Sequence, residues 1–309
     1  MDFQTLPAIP SLSKLYRGQV AGLIRPGGKP PVSSAPATGY QVEDVCFDAE
    51  SVARYCHLIG FRLRDAVPAT YPYLLSFPLV MQVMSAKDFP FRAVGTVHIS
   101  NLIEQHRALR IGDNLDIRVH ADNLRPHRKG LAIDMVTSID VAGSEAWRQT
   151  STFLGVGASF ADSAPAELRD RPQAQRLLPK AREEALMEIP VALLRWSFEQ
   201  VREYAQVSGD KNPIHVSRAG AKAFGFPRPI AHGMYSHARM LASLEGRIPQ
   251  EIRVLADFYA PLTVPATTAL LSRDDGAGAW DLWLRPASDP QKLHVAARVE
   301  PMDLLGQGR

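Results

Sequence analysis

The sequence predicts an α+β fold in which each half of the chain places one long buried helix against a curved antiparallel sheet. The chain has 309 residues, which suits two domains of about 150 residues each. The same order of elements, a strand, a helix, a long helix with few charges and several strands, occurs on both sides of a charged, proline-rich stretch over 158–187. A helix with so few charges is expected to be covered on most sides by a sheet.

The composition is that of an ordinary globular protein and excludes several classes. Hydrophobic residues make up 46% and charged residues 22%, and the formal net charge is +3, too weak a balance to indicate a nucleic-acid partner. Two cysteines, Cys46 and Cys56, are too few for a disulfide framework or a cysteine-rich metal site. The first residues lack a basic segment followed by an apolar one, so we expect a cytoplasmic protein rather than a secreted one.

In the first half, residues 1–39 are rich in proline, glycine and serine and are expected to form an irregular arm. A strand is predicted over 40–47, followed by a helix that begins at the N-cap Asp48 and ends at Gly60. Four further strands are expected over 91–105, 114–124, 131–141 and 145–157, with a basic turn at 125–130.

The stretch 66–86 contains no charged residue and is long enough to cross a bilayer. Pro68, Pro72 and Pro78 interrupt it, and an internal proline removes a backbone hydrogen bond that lipid cannot replace. We therefore expect a buried helix that starts near Pro72, and no membrane span.

The second half repeats this plan. A strand is predicted over 189–198, a helix over 199–209 and a long helix over 229–246. The remaining strands are expected over 252–262, 267–274, 279–286 and 293–300. The predicted organisation is an arm at 1–39, a first domain at 40–157, a linker at 158–187 and a second domain at 188–309.

One segment, from Tyr204 to Ala221, carries chemistry. On a continuous helix Asp210 and His215 would point about 140° apart. Pro213 disfavours the helical conformation at Asn212, and asparagine followed by proline favours a new helix start. Asp210 then lies on a loop and His215 in the first turn of the next helix, so a carboxyl and an imidazole can meet at one water molecule. An Asp and a His on a loop are more often solvated bystanders, but the whole run is more specific than the pair.

This run resembles the signature of the MaoC-like, or hydratase 2, family of (R)-specific enoyl-thioester hydratases. The matching residues are Tyr204, Val207, Ser208, Gly209, Asp210, Asn212, Pro213, Ile214, His215 and Ala221. The sequence GFPRPIAHGM over 225–234 is similar to the next element of that family.

The resemblance implies a double hotdog fold, a thioester substrate carried by CoA or by acyl carrier protein, and reversible addition of water. It implies Asp210 and His215 as the catalytic pair, and the backbone N–H of Gly233 as the donor to the thioester carbonyl. Ser208, Gly209, Asn212 and Pro213 would position the loop. No metal and no cofactor are implied.

The first half lacks this motif, since Asp48 and His57 are too far apart to reproduce the pair, and one active site per chain is expected. Single-hotdog relatives often carry a hydroxyl residue eight positions after the glycine of the HGM element, where this chain has Leu241. His232 is interpreted as structural.

The basic turn with Arg125, His127, Arg128 and Lys129 is interpreted as a solvated hairpin tip, with contact to CoA phosphates or an acidic carrier as the alternative. Two other functions stay open at this point: a non-catalytic acyl-thioester binding or assembly subunit, and a hotdog thioesterase. A homodimer is allowed but not required.

Overall fold

The computed structural model describes residues 2–16, 31–93 and 95–302. The strands are β1 (Asp2–Thr5), β2 (Thr38–Cys46), β3 (Val97–Gln105), β4 (Asn114–His127), β5 (Gly130–Val141), β6 (Ser144–Val156), β7 (Pro190–Trp196), β8 (Ile252–Phe258), β9 (Ala266–Asp274), β10 (Trp280–Pro286) and β11 (Val295–Pro301). The helices are α1 (Ala49–Ile59), α2 (Pro72–Met84), α3 (Ala166–Arg169), α4 (Ala181–Met187), α5 (Phe198–Ser208), α6 (Pro213–Val216), α7 (Arg218–Ala223) and α8 (Gly233–Ala242).

The chain divides into two compact units built from separate segments. The first unit comprises Met1–Cys46, Pro72–Ile99 and Asp113–Gln175, and the second comprises Phe47–Tyr71, Ser100–Gly112 and Arg176–Arg309. The continuous boundaries expected at 40–157 and 188–309 stay a prediction. The expected linker contains the short helices α3 and α4.

In the first unit, strands β2, β4, β5 and β6 follow one another in the sheet and pair antiparallel, while β1 adds in parallel to β2. Helix α2 packs against β2 and β4. Nearly all of its side chains are buried, including Leu79 and Val83, because its apolar residues surround the helix rather than forming one stripe. The predicted buried helix at Pro72 is confirmed.

In the second unit, residues 100–105 of β3 pair with β8, and the sheet continues through β11, β10 and β9 to β7, each pair antiparallel. Helix α8 packs against β10 and β11, and its Tyr235, Ala238 and Met240 have no exposed surface. Within the described residues, no helix has the length and apolar character needed to cross a membrane.

The caps predicted for α1 are confirmed. The Asp48 carboxylate accepts a hydrogen bond of 2.9 Å from the backbone N–H of Ser51, which satisfies one of the unpaired donors at the helix start. The helix ends at Gly60, whose φ of 102° is a left-handed conformation that favours glycine.

Three expectations about the strands and turns of the first half were wrong. Residues 2–5 form a strand instead of irregular coil, because they find a partner in β2 that lies more than thirty positions away in the sequence; residues 17–30 of the expected arm lie outside the described residues. The strand expected from residue 91 begins at Val97. The basic turn is confined to residues 128–129, because Arg125 belongs to β4 and its guanidinium lies 2.9 Å from the Asp134 carboxylate.

The long helix expected over 229–246 is shorter and begins at Gly233. Its first predicted turn is extended instead. The N–H of Ala231 donates to the carbonyl of Leu262 at 2.8 Å, and Ile230 forms a β-bridge with Thr263. Tertiary hydrogen bonds therefore replace the helical ones in this segment.

Candidate active site

The loop that carries Asp210 is fixed by its own hydrogen bonds. Helix α5 ends at Ser208, and Gly209 follows with a φ of 73°, in the left-handed region. The Ser208 hydroxyl donates to the carbonyl of Tyr204 at 2.7 Å and accepts from the N–H of Asp210 at 3.2 Å. The Asp210 carboxylate in turn accepts from the N–H of Asn212 at 3.2 Å.

A second helix starts where the sequence predicts it. The Asn212 side chain accepts from the N–H of Ile214 at 3.3 Å, and Pro213 occupies the first helical position of α6. Because the chain changes direction between α5 and α6, Asp210 and His215 come together, as expected from the Asn-Pro pair.

The hydrogen bond of His215 fixes its tautomer. Its ring is buried, and Nδ1 lies 2.7 Å from the carbonyl oxygen of Ile230. A carbonyl only accepts, so Nδ1 carries the proton and Nε2 keeps a lone pair. Burial lowers the pKa of the imidazole, against the opposing influence of Asp210 and of the bond to Ile230. His215 is therefore a neutral ring with one basic nitrogen.

His232 joins the pair, which sequence reasoning missed. Its ring stacks on that of His215 with centroids 3.7 Å apart, and its Nε2 lies 3.0 Å from the backbone oxygen of Asp210. Burial, and next the neighbouring His215, lower the pKa of His232 to about 3. One ligand-type atom from each of Asp210, His215 and His232 lies within 4.8 Å of the others. The only signal was the position of His232 directly before Gly233 in the HGM element.

Gly233 lies at the first position of α8. No side chain caps this helix, so N–H groups of its first turn remain available as donors, with the positive end of the helix dipole behind them. A Cβ at Gly233 would lie 3.0 Å from the Phe258 ring, so a side chain here would press against the aromatic group. Leu241 is buried in α8, so this position brings no hydroxyl to the site.

The carboxylate and two imidazoles are also residue types that bind zinc. Ring lone pairs lie in the ring planes, however, and the planes of His215 and His232 are inclined by only 26° at a centroid distance of 3.7 Å. Such planes do not meet within the ~2.0–2.1 Å of a zinc–nitrogen bond. The arrangement fits proton transfer better than metal binding.

Comparison with known proteins agrees with this geometry. The family described as "MaoC like domain" matches residues 179–261, a range that includes Asp210, His215, His232 and Gly233. A Mycobacterium tuberculosis protein named 3-hydroxyacyl-thioester dehydratase X is 40% identical over 256 residues, which are 83% of this chain and 87% of that protein. The chain belongs to the MaoC-like dehydratase family.

Two further similarities extend the comparison. This chain matches the crystal structure of HtdX from M. tuberculosis with a TM-score of 0.72 and 38% sequence identity. The match covers 85% of this chain and 100% of the HtdX chain. The peroxisomal enoyl-CoA hydratase 2 of Arabidopsis thaliana is 27% identical over 191 residues, 60% of each protein. The expected α+β double hotdog fold is confirmed.

Proposed function

We propose that this chain catalyses the reversible hydration of trans-2-enoyl thioesters to (R)-3-hydroxyacyl thioesters, with Asp210 and His215 as the catalytic pair. It is a hydro-lyase of acyl-thioester metabolism. The observation that carries the proposal is the neutral His215 ring, whose Nδ1 is bonded to Ile230 so that Nε2 is free to accept a proton; one nitrogen of this ring lies within 4.8 Å of a carboxylate oxygen of Asp210. The names of the relatives reported above, a 3-hydroxyacyl-thioester dehydratase and an enoyl-CoA hydratase, support the reaction class.

In the hydration direction, water lies between Asp210 and His215. Its oxygen forms a bond to Cβ of the substrate while Nε2 of His215 accepts one of its protons. The electrons of the Cα–Cβ double bond move toward the thioester oxygen. They then return to Cα, which takes up the proton from the imidazolium. The Asp210 carboxylate accepts a hydrogen bond from the second O–H of the water, which stays intact as the hydroxyl at Cβ, and it stabilises the transient imidazolium. Dehydration is the reverse. Proton transfer of this kind is typically worth about 10²–10⁴-fold in rate.

The thioester oxygen gains negative charge in both directions. We assign the N–H of Gly233 as its donor, because this group lies at the uncapped start of α8 and a preorganised donor stabilises developing charge. Ser208, Gly209, Asn212 and Pro213 are assigned to holding the Asp210 loop, through the hydrogen bonds and the left-handed glycine described above.

One active site per chain belongs to the same proposal, in the second predicted domain at 188–309. Within the described ranges, Asp210, His215 and His232 form the only group of three or more His, Cys, Asp or Glu residues whose ligand-type atoms lie within 4.8 Å of one another. The mechanism requires no metal or cofactor, so a chelator such as EDTA is expected to leave turnover unchanged.

Homodimerisation is proposed through an apolar edge segment, defined as residues 186–193. Among the described residues this segment holds five of the eight large hydrophobic side chains that are exposed: Leu186, Met187, Ile189, Val191 and Leu193. Strand β7 pairs only with β9 among the described strands, so its other edge is open to a partner. In a twofold pairing centred on Val191, the exposed Ile189 would lie opposite Leu193 of the other copy, so that apolar side chains meet across the interface.

The decisive experiment follows the loss of the enoyl absorbance with trans-2-enoyl substrates on both CoA and acyl carrier protein, with chiral analysis of the product. Formation of the (R)-3-hydroxyacyl thioester supports the proposal, and the faster carrier identifies the physiological one. Release of free thiol would indicate a thioesterase, and binding without turnover a non-catalytic subunit.

A cytoplasmic location is tested separately by microscopy of a tagged chain.

A further inference from the structure

Four consecutive residues, 230–233, contact every group that the proposed reaction uses. The carbonyl of Ile230 accepts from His215 Nδ1 at 2.7 Å. The Nε2 of His232 lies 3.0 Å from the backbone oxygen of Asp210. Gly233 begins α8 and presents its N–H. The segment 230–233 therefore contacts the proposed base His215 and the loop that carries Asp210, and it contains the proposed carbonyl donor Gly233.

This segment is itself firmly held. The N–H of Ile230 donates to the carbonyl of Ile214 at 3.1 Å, and that of Ala231 to Leu262 at 2.8 Å. Ile230 also forms an antiparallel bridge with Thr263. An extended stretch with partners on both sides changes conformation little, so distances among the groups it contacts are preserved.

His232 is the one side chain of the segment that reaches the catalytic loop by a hydrogen bond. Only 4% of its surface is exposed, and its Nδ1 is buried with no hydrogen-bond partner among the described residues. An unsatisfied buried nitrogen costs free energy, and an apolar ring would avoid that cost. The hydrogen bond from Nε2 to Asp210 offers a physical reason for a histidine here.

We propose that His232 is a positioning residue, which donates from Nε2 to the Asp210 carbonyl and so holds the Asp210 loop at a fixed distance from His215 and Gly233. This inference rests on the proposed function. It does not make His232 a proton donor to substrate: its Nε2 proton is directed at the backbone of Asp210, and its ring face is covered by His215.

Two substitutions separate the hydrogen bond from the ring. His232→Gln keeps an N–H near the position of Nε2 but loses the stack on His215. His232→Phe keeps an aromatic ring but loses the donor. We expect His232→Phe to lower kcat by about 10–10²-fold, the scale on which small misplacement affects catalysis, with KM near the wild-type value because Gly233 is untouched. His232→Gln should recover most of kcat.

The matched control is His237→Phe, since His237 is a fully buried histidine within α8 whose ring nitrogens have no hydrogen-bond partner among the described residues. It should keep wild-type kcat. Wild-type kcat in a folded His232→Phe, or equal loss in the Phe and Gln variants, would overturn the positioning role. Asp210→Asn and His215→Ala, measured in parallel, test the proposed function separately: activity in those variants refutes the catalytic pair whatever His232 does.

Discussion

The rings of His215 and His232 stack with their centroids 3.7 Å apart and their planes inclined by 26°. Two neutral rings tolerate this contact, whereas a proton on one ring disfavours a proton on the other. Since burial lowers the pKa of both imidazoles, the resting site holds two neutral rings. In the proposed mechanism, the imidazolium formed on His215 is then short-lived, which favours return of the proton to Cα.

Removal of either catalytic group should abolish most of the turnover without unfolding the protein. We expect Asp210→Asn and His215→Ala each to lower kcat by at least about 10²-fold, because each removes one partner of the water molecule. The rate is measured as loss of enoyl absorbance, with circular dichroism to verify folding. His57→Ala, at an exposed histidine of α1, serves as the matched control and should retain full activity.

The pH dependence of kcat/KM should reflect the lowered pKa of His215. The reaction needs the unprotonated Nε2, so activity is lost as the pH falls through the pKa of this ring. Because burial lowers that pKa below its usual value of 6.5, the acid limb of the profile should have its midpoint below 6.5. A midpoint at or above that value would contradict the assignment of His215 as the base.

Local sequence signals predicted the parts of the molecule that local chemistry determines. Asp48 and Gly60 cap α1, and Asn212 and Pro213 separate α5 from α6, because each acts on backbone within a few residues. These signals were sufficient to predict that Asp210 and His215 lie close together.

The errors arose where distant partners decide the structure. Helix α8 begins at Gly233 and not at the predicted residue 229, because Ile230 and Ala231 hydrogen-bond to residues far along the chain. The contact between His232 and Asp210 was not predicted for the same reason: it spans 22 positions, and no local pattern reports such a contact.

Gly233 is expected to tolerate no side chain. A Cβ would lie 3.0–3.3 Å from atoms of the Phe258 ring, so Gly233→Ala must shift either the ring or the N–H that is proposed to donate to the thioester. We expect kcat to fall by about 10-fold or more, as for the weakening of a preorganised donor. Gly112→Ala is the control, because a Cβ there meets nothing within 4 Å; an equally active Gly233→Ala would argue against the donor role.

His237 should make the fold sensitive to acid. Burial lowers its pKa to about 3, whereas an unfolded histidine has a pKa of about 6.5. Between these values the unfolded chain binds the additional proton, so stability falls as the pH is lowered from about 6.5 toward 3. His237→Phe removes this contribution, and its Tm should decline less with acid than that of the wild type. A comparison of Tm against pH for both proteins decides the point, and an unchanged slope would contradict it.

The final prediction concerns the apolar edge segment. Val191 in β7 is 60% exposed, between Leu193 in the same strand at 65% and Ile189, directly before the strand, at 82%. A charged residue at the twofold position would place two like charges opposite each other across the interface, which destabilises a strand pair. Val191→Lys should therefore convert a dimer to a monomer in sedimentation velocity, with turnover by Asp210 and His215 retained. Val156→Lys is the matched control, since Val156 is also 60% exposed but lies at the end of β6. If the wild-type chain sediments as a monomer, or if both lysine variants behave alike, the segment is not a dimer interface.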